Sequence, residues 1–271
     1  MAKFDKYRVK PRSKFSLGDI KPDDRSERGD CKADDLEELS KISTEINALQ
    51  DILYAQGKHK ILLVLQGMDA SGKDGTVKHV FSECDALGIR QTSFKKPSKE
   101  ELARDYLWRV HAQVPRDGEI MIFNRSHYED VLIVKVHDWI DDKTCKQRYK
   151  QIADFERMMV ENGTTIIKCF LYTSKEEQKE RMYERLNEPH KTWKFNPGDL
   201  EERALWPQYM EAYEDALKAT STKDAPWYVI PADSKTNRNL LISRILLENL
   251  KALDLEYPPK PTEWNDIVVE D

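Results

Sequence analysis

Cysteine is sparse and scattered in this sequence. Its four residues, Cys31, Cys84, Cys145 and Cys169, form no C-x-x-C pair and no Cys/His ligand cluster. That argues against a zinc cluster and fits a reducing compartment. Long apolar runs are missing as well: none approaches the length needed to span a bilayer, and the basic start MAKFDKYRVKPRSK lacks the apolar core of a signal peptide. A cytoplasmic, non-membrane protein is expected. Nor is there an excess of basic charge, because the net charge is −5 although 34% of residues are charged. No global field attracts nucleic acid or an anionic membrane, so any polyanion must meet a local basic groove. With 271 residues, no internal repeat and no low-complexity linker, one large domain is the economical reading.

What the sequence does have is KILLVLQGMDASGKDGTVK at 60–78. Residues 61–65 are a continuous β-branched and leucine run, as expected of a parallel strand buried on both faces. Gly67, Gly72 and Lys73 follow with the G-x-x-x-x-G-K spacing of a phosphate-binding loop, which also includes Ala70, Ser71 and Gly75. Glycines let backbone N–H groups turn inward around phosphate, the next helix presents its positive end, and Lys73 adds a full charge. Asp74 stands where a magnesium-binding hydroxyl is usual, and Asp69 puts an anion where phosphates arrive. Asp69 makes sense if a cation lies between them or if it orients an attacking phosphate. A glycine turn with an N-capping Asp is the bland alternative.

Along the rest of the chain, residues 1–32 read as an extended arm. A strand-like course would put Lys6, Arg8, Lys10, Arg12 and Lys14 on one edge, for a polyanion, for solvent or for clasping a second subunit. Apolar spacing predicts helices over 34–56, 72–86, 98–114, 142–161, 200–219 and 240–253, with another opened by Ser174 and Glu177. Strands are expected at 61–65, 88–94, 119–123, 164–171 and 226–230, and residues 257–271 read as an extended tail. Lys95 and Lys96 follow the second strand, where doubly wound folds line their ligand crevice; a solvated charge pair is the other reading. The third strand ends in Asn124-Arg125-Ser126-His127-Tyr128-Glu129-Asp130. Arg125 suits a phosphate clamp, and Glu129 and Asp130 suit magnesium or its waters, with simple helix capping as the alternative. Arg181 and Arg185 share a helix face, as a phosphate-covering lid over about 178–205 requires; a salt-bridged surface helix explains the same pattern.

With GMDASGKDGT, FNRSHYEDVL, Arg181 and Arg185, TWKFNPGDL and APWYVIPAD in order, the chain resembles the polyphosphate kinase 2 family from about residue 7 to 257. The resemblance implies an α/β phosphate-loop kinase fold similar to thymidylate kinase, here a five-stranded parallel sheet flanked by helices with a helical lid over a domain at 33–256. It implies magnesium-dependent, reversible phosphoryl transfer between inorganic polyphosphate and a nucleoside mono- or diphosphate (ADP/AMP or GDP/GMP), in a homo-oligomer such as a dimer or tetramer. Lys73 would contact the transferring phosphate, Arg125 would grip it, Arg181 and Arg185 would close from the lid, and Asp69 with chiefly Asp130 would arrange Mg²⁺. A polyphosphate groove would continue through Lys95, Lys96, Arg109, Arg116 and Lys194. An ATP-dependent monophosphate kinase and a nucleotide-sensing module are the rivals.

Overall fold

The computed structural model describes residues 4–29, 31–265 and 267–269; residues 1–3 and 30 of the expected arm and 266, 270 and 271 of the expected tail lie outside the described residues. Six strands, β1 (Arg8–Val9), β2 (Lys60–Gln66), β3 (Ile89–Thr92), β4 (Ile120–Asn124), β5 (Thr164–Tyr172) and β6 (Trp227–Pro231), make one sheet in the order β1-β6-β5-β2-β4-β3. All neighbours are parallel except β1 with β6. The helices are α1 (Lys32–Gln56), α2 (Lys73–Val80), α3 (Lys99–Leu102), α4 (Trp108–His111), α5 (Ile133–Val136), α6 (Asp142–Glu161), α7 (Lys175–Asn187), α8 (Gly198–Ala204), α9 (Trp206–Thr220) and α10 (Lys235–Lys251).

β2 lies at the centre and explains its own sequence. Ile61, Leu63 and Leu65 point to the layer of α1, α2 and α10, while Leu62 and Val64 point to the layer of α6 and α9. With apolar cover on both faces, a period-2 strand needs no polar residue on either side.

Five expectations change. The sheet has six strands rather than five, because the arm contributes β1, with Arg8 opposite Tyr228 and Val9 opposite Trp227. The arm's cations do not share a strand edge: Lys6 lies in a 3-10 turn and pairs with Glu27 at 2.9 Å, and Lys10 pairs with Asp5 at 3.1 Å. The helix expected over 98–114 is two short ones, since the Asp105 side chain captures the Leu107 N–H at 3.0 Å and turns the chain between α3 and α4. The helix expected over 200–219 is α8 and α9; Pro207 has no N–H to continue a helix and sits in the first turn of a new one. The loop helix also stops early, at Val80, where α1 side chains take over: Ser43 accepts from Glu83 N–H and Asn47 from Asp85 N–H.

Candidate active site

The turn after β2 can only be built with glycine at two points. Gly67 has φ +151°, and a Cβ there would lie 2.7 Å from the Leu171 carbonyl; Gly72 has φ +103°, and a Cβ would overlap the Arg238 guanidinium. Behind the loop three side chains hold its carbonyls. Gln178 donates to Asp69 O at 2.9 Å, and Arg238 donates to Ser71 O at 3.2 Å. Arg181 donates to Ala70 O, Ser71 O, Ala232 O and Asp233 O at 2.6–3.0 Å and to Glu177 at 2.7 Å, which uses all five of its N–H groups. With the carbonyls drawn backwards, the amino end of α2 faces the open side, and its first N–H groups precede the Thr76-to-Gly72 bond.

Lys73 stands at that end, 8% exposed, donating to Gly67 O at 2.6 Å and Met68 O at 3.2 Å. Burial lowers its ammonium to about 8, against the pull of Asp69. Burial equally lowers Arg238 to about 9, helped by Arg181. Arg125, held at φ +66°, ion-pairs with Asp69. Burial would lower it, but Asp69 and Glu129 outweigh that and raise it. Glu129 is raised by burial despite Arg125 and Lys73. Beneath this turn Tyr128 donates to Glu156 at 2.8 Å, and Lys168 pairs with Glu156 at 2.5 Å, all fully buried.

These groups floor a crevice of about 680 Å³ lined by Asp69, Lys73, Asp74, Lys95, Arg125, Arg185 and Lys194 among others. Its walls carry eight cationic side chains, Lys191 and Lys235 included, against four carboxylates. A chain of negative net charge thus has the local basic groove it needs for a polyanion. On the far wall Arg185 holds Asp199 at 3.1 Å, Lys194 lies 3.9 Å from Asp74, and Asp74 accepts from Asn124 at 2.7 Å.

Not every expected residue joins this group. Arg181 borders the crevice, but its N–H groups are all spent on Glu177 and four backbone carbonyls, while Arg185, one turn on, faces the same crevice with weaker ties. Asp130 is turned away from Asp69, toward Arg109 at 3.6 Å and Arg148 at 4.0 Å in a separate cavity, and Glu129 is the acid beside Lys73 and Arg125. Arg109 therefore also lies outside the crevice. Arg116 sits in the turn before β4, at the opposite end of the sheet from the loop, which separates it from the groove. Lys96 is exposed and does not line the crevice. Sequence reasoning missed Lys235 and Arg238; a Ser234 cap at the carboxyl end of β6 was the available signal for both.

The sequence profile of Polyphosphate kinase 2 (PPK2) matches residues 30–258. An AMP/ADP-polyphosphate phosphotransferase of Meiothermus ruber is 52% identical over 98% of this chain and 99% of that protein. An ADP-polyphosphate phosphotransferase of Rhodopseudomonas palustris is 44% identical over 82% and 81%. The crystal structure of polyphosphate kinase 2 from Arthrobacter aurescens superposes with a TM-score of 0.91 at 42% identity, covering 97% of this chain and 92% of that one. By profile, sequence and architecture alike, the chain belongs to the polyphosphate kinase 2 family.

Proposed function

We propose that the protein moves a phosphoryl group, reversibly and with magnesium, between inorganic polyphosphate and a nucleoside mono- or diphosphate, on a phosphate-loop kinase fold akin to that of thymidylate kinase. The observation that carries this is the open crevice with eight cations against four carboxylates, floored by a glycine loop and Lys73. Relatives that use polyphosphate with AMP or ADP point the same way. Phosphoryl transfer asks a protein mainly for in-line positioning and for positive charge around spreading negative charge.

Lys73 exchanges its two carbonyl partners for a phosphate oxygen, and the arriving anion offsets the burial that lowers its ammonium to about 8. Arg125 exchanges Asp69 for the transferring group. The covering segment begins beyond Arg181, with Arg185, Lys191 and Lys194, since Gln178 and Arg181 are anchored to the loop. Among the described residues no three His, Cys, Asp or Glu side chains converge on a metal position. Asp69, with Asp74 nearby in the same crevice, fits a magnesium ion that keeps its waters and arrives on phosphate oxygens, a cation that needs only one or two carboxylates. When bound, it would neutralise charge on those phosphates.

The test offers purified protein magnesium, long-chain polyphosphate and AMP, ADP, GMP or GDP in turn, without ATP. ADP from AMP, or ATP from ADP, is expected. No product with polyphosphate, but transfer to a monophosphate when ATP is then added, would replace the proposal with a monophosphate kinase.

A further inference from the structure

Arg125 carries its guanidinium into the crevice from a backbone at φ +66°, a left-handed conformation that a non-glycine residue keeps only where its surroundings over-determine it. On the amino side the hold is plain. Asn124 is the last residue of β4, opposite Leu65 of β2, and the Arg125 N–H donates to the Leu65 carbonyl at 3.2 Å. On the carboxyl side the chain leaves the sheet for a 3-10 turn over His127–Val131, and still must present Glu129 beside Lys73. What holds that side lies underneath. His127 and Tyr128 are fully buried, and both meet Glu156 Oε1 of α6, at 3.3 and 2.8 Å. Lys168 of β5 directs its three N–H groups to Glu156 Oε2 at 2.5 Å, the Tyr128 hydroxyl at 3.1 Å and the Thr220 carbonyl, at the end of α9, at 2.9 Å.

For stability alone, two apolar side chains of similar volume would serve as well or better, because a buried ion pair must recover the hydration that both ions give up. What the charges add is direction. Hydrogen bonds to one carboxylate fix where His127 and Tyr128 sit, whereas apolar contact is non-directional and leaves the turn room to slide. We propose that Glu156 and Lys168 are positioning residues: they hold the turn from below and through it set Arg125 and Glu129 in the crevice. Both are wholly buried, so neither touches phosphate itself. The proposal rests on the phosphoryl-transfer reading above, in which Arg125 meets the transferring group.

The experiment replaces the pair by apolar groups of like volume, Glu156→Met with Lys168→Met, and sets this double variant beside Lys168→Met alone. The single variant strands a buried carboxylate, and its thermal midpoint is expected to fall by about 10 °C or more. The double variant, in which the Tyr128 hydroxyl still has Thr220 Oγ1 at 3.0 Å, is expected to return to within about 5 °C of the parent. Its turnover is expected to stay about tenfold or more below the parent, with the KM for polyphosphate within about threefold. Amide hydrogen exchange at 125–130 is expected to be about tenfold faster, with β2 and β5 unchanged. A double variant with parental turnover, or with parental exchange at 125–130, would overturn the proposal, because the pair would then serve stability alone. If the parent protein yields no nucleotide product from polyphosphate, the transfer reading falls, and the exchange rates still decide whether the pair holds the turn. Should the double variant fail to fold, Tyr128→Phe decides, since Lys168 there keeps Glu156 and the Thr220 carbonyl. Turnover lowered about threefold or more with an unchanged KM for polyphosphate supports the positioning role, and parental turnover overturns it.

Discussion

Arg181 and Arg185 are one turn apart on α7, yet the structure gives them opposite duties, and substituting each by alanine separates them. In Arg181→Ala the carbonyls of Ala70, Ala232 and Asp233 lose their donors, while Ser71 O keeps Arg238. At about 1 kcal/mol for each buried acceptor left partly hydrated, the loss is about 3 kcal/mol. With an m-value of about 3 kcal/mol/M, the urea midpoint falls by about 1 M. Arg185 is partly exposed and bonded to Asp199 and the Lys194 carbonyl, so Arg185→Ala should stay within about 0.5 kcal/mol of the parent. Its effect should appear in turnover with polyphosphate, reduced about tenfold or more. The assay is urea unfolding followed by tryptophan fluorescence, alongside initial rates. An Arg181→Ala protein as stable as the parent would refute the claim that this arginine holds the loop from behind. So would an Arg185→Ala protein that lost as much stability.

Raising ionic strength should weaken polyphosphate binding more steeply than binding of free nucleotide, because the longer anion engages more of the crevice cations; equal salt slopes would remove the extended groove. Lys73 titrates at about 8 when folded against 10.5 as a free side chain. Between those values the unfolded chain binds the extra proton, so the Lys73 contribution to unfolding free energy is least favourable below pH 8 and rises toward pH 10.5. That rise should be absent in Lys73→Met, and a parallel pH profile for both proteins in urea titrations would contradict it. Lys73→Met should also lower turnover by about a hundredfold or more with its fold retained by circular dichroism. Gly72→Ala must shift the Arg238 guanidinium and adopt a positive φ, so it should destabilise by about 2 kcal/mol or more; a neutral result in thermal unfolding would mean the loop is built otherwise.

How much of this was written legibly in the chain depended on the range of the forces involved. β2 and its loop could be read directly because burial on both faces and a glycine-demanding turn leave local marks. β1 left none: two residues become a strand only because the edge of β6 is there to pair with them. Glu129 and Asp130 could not be told apart, since they lie in a 3-10 turn, where neighbours diverge by about 120°, and only the packed turn decides which faces Lys73. Helical spacing put Arg181 and Arg185 on one face correctly. It carried no information that four carbonyls from two other segments would occupy the first.

The pairing of β1 with β6 has a consequence for the order in which the molecule comes together. Arg8 meets Tyr228 across about 220 residues of sequence, so β1 cannot form until the distant β6 is in place beside it. Until then Tyr7, Val9 and Leu17 have nowhere to be buried, and β6 carries an open edge available to another chain. Docking of the arm is therefore a late, long-range event, and the folding chain is most exposed to mispairing while β6 waits for its partner.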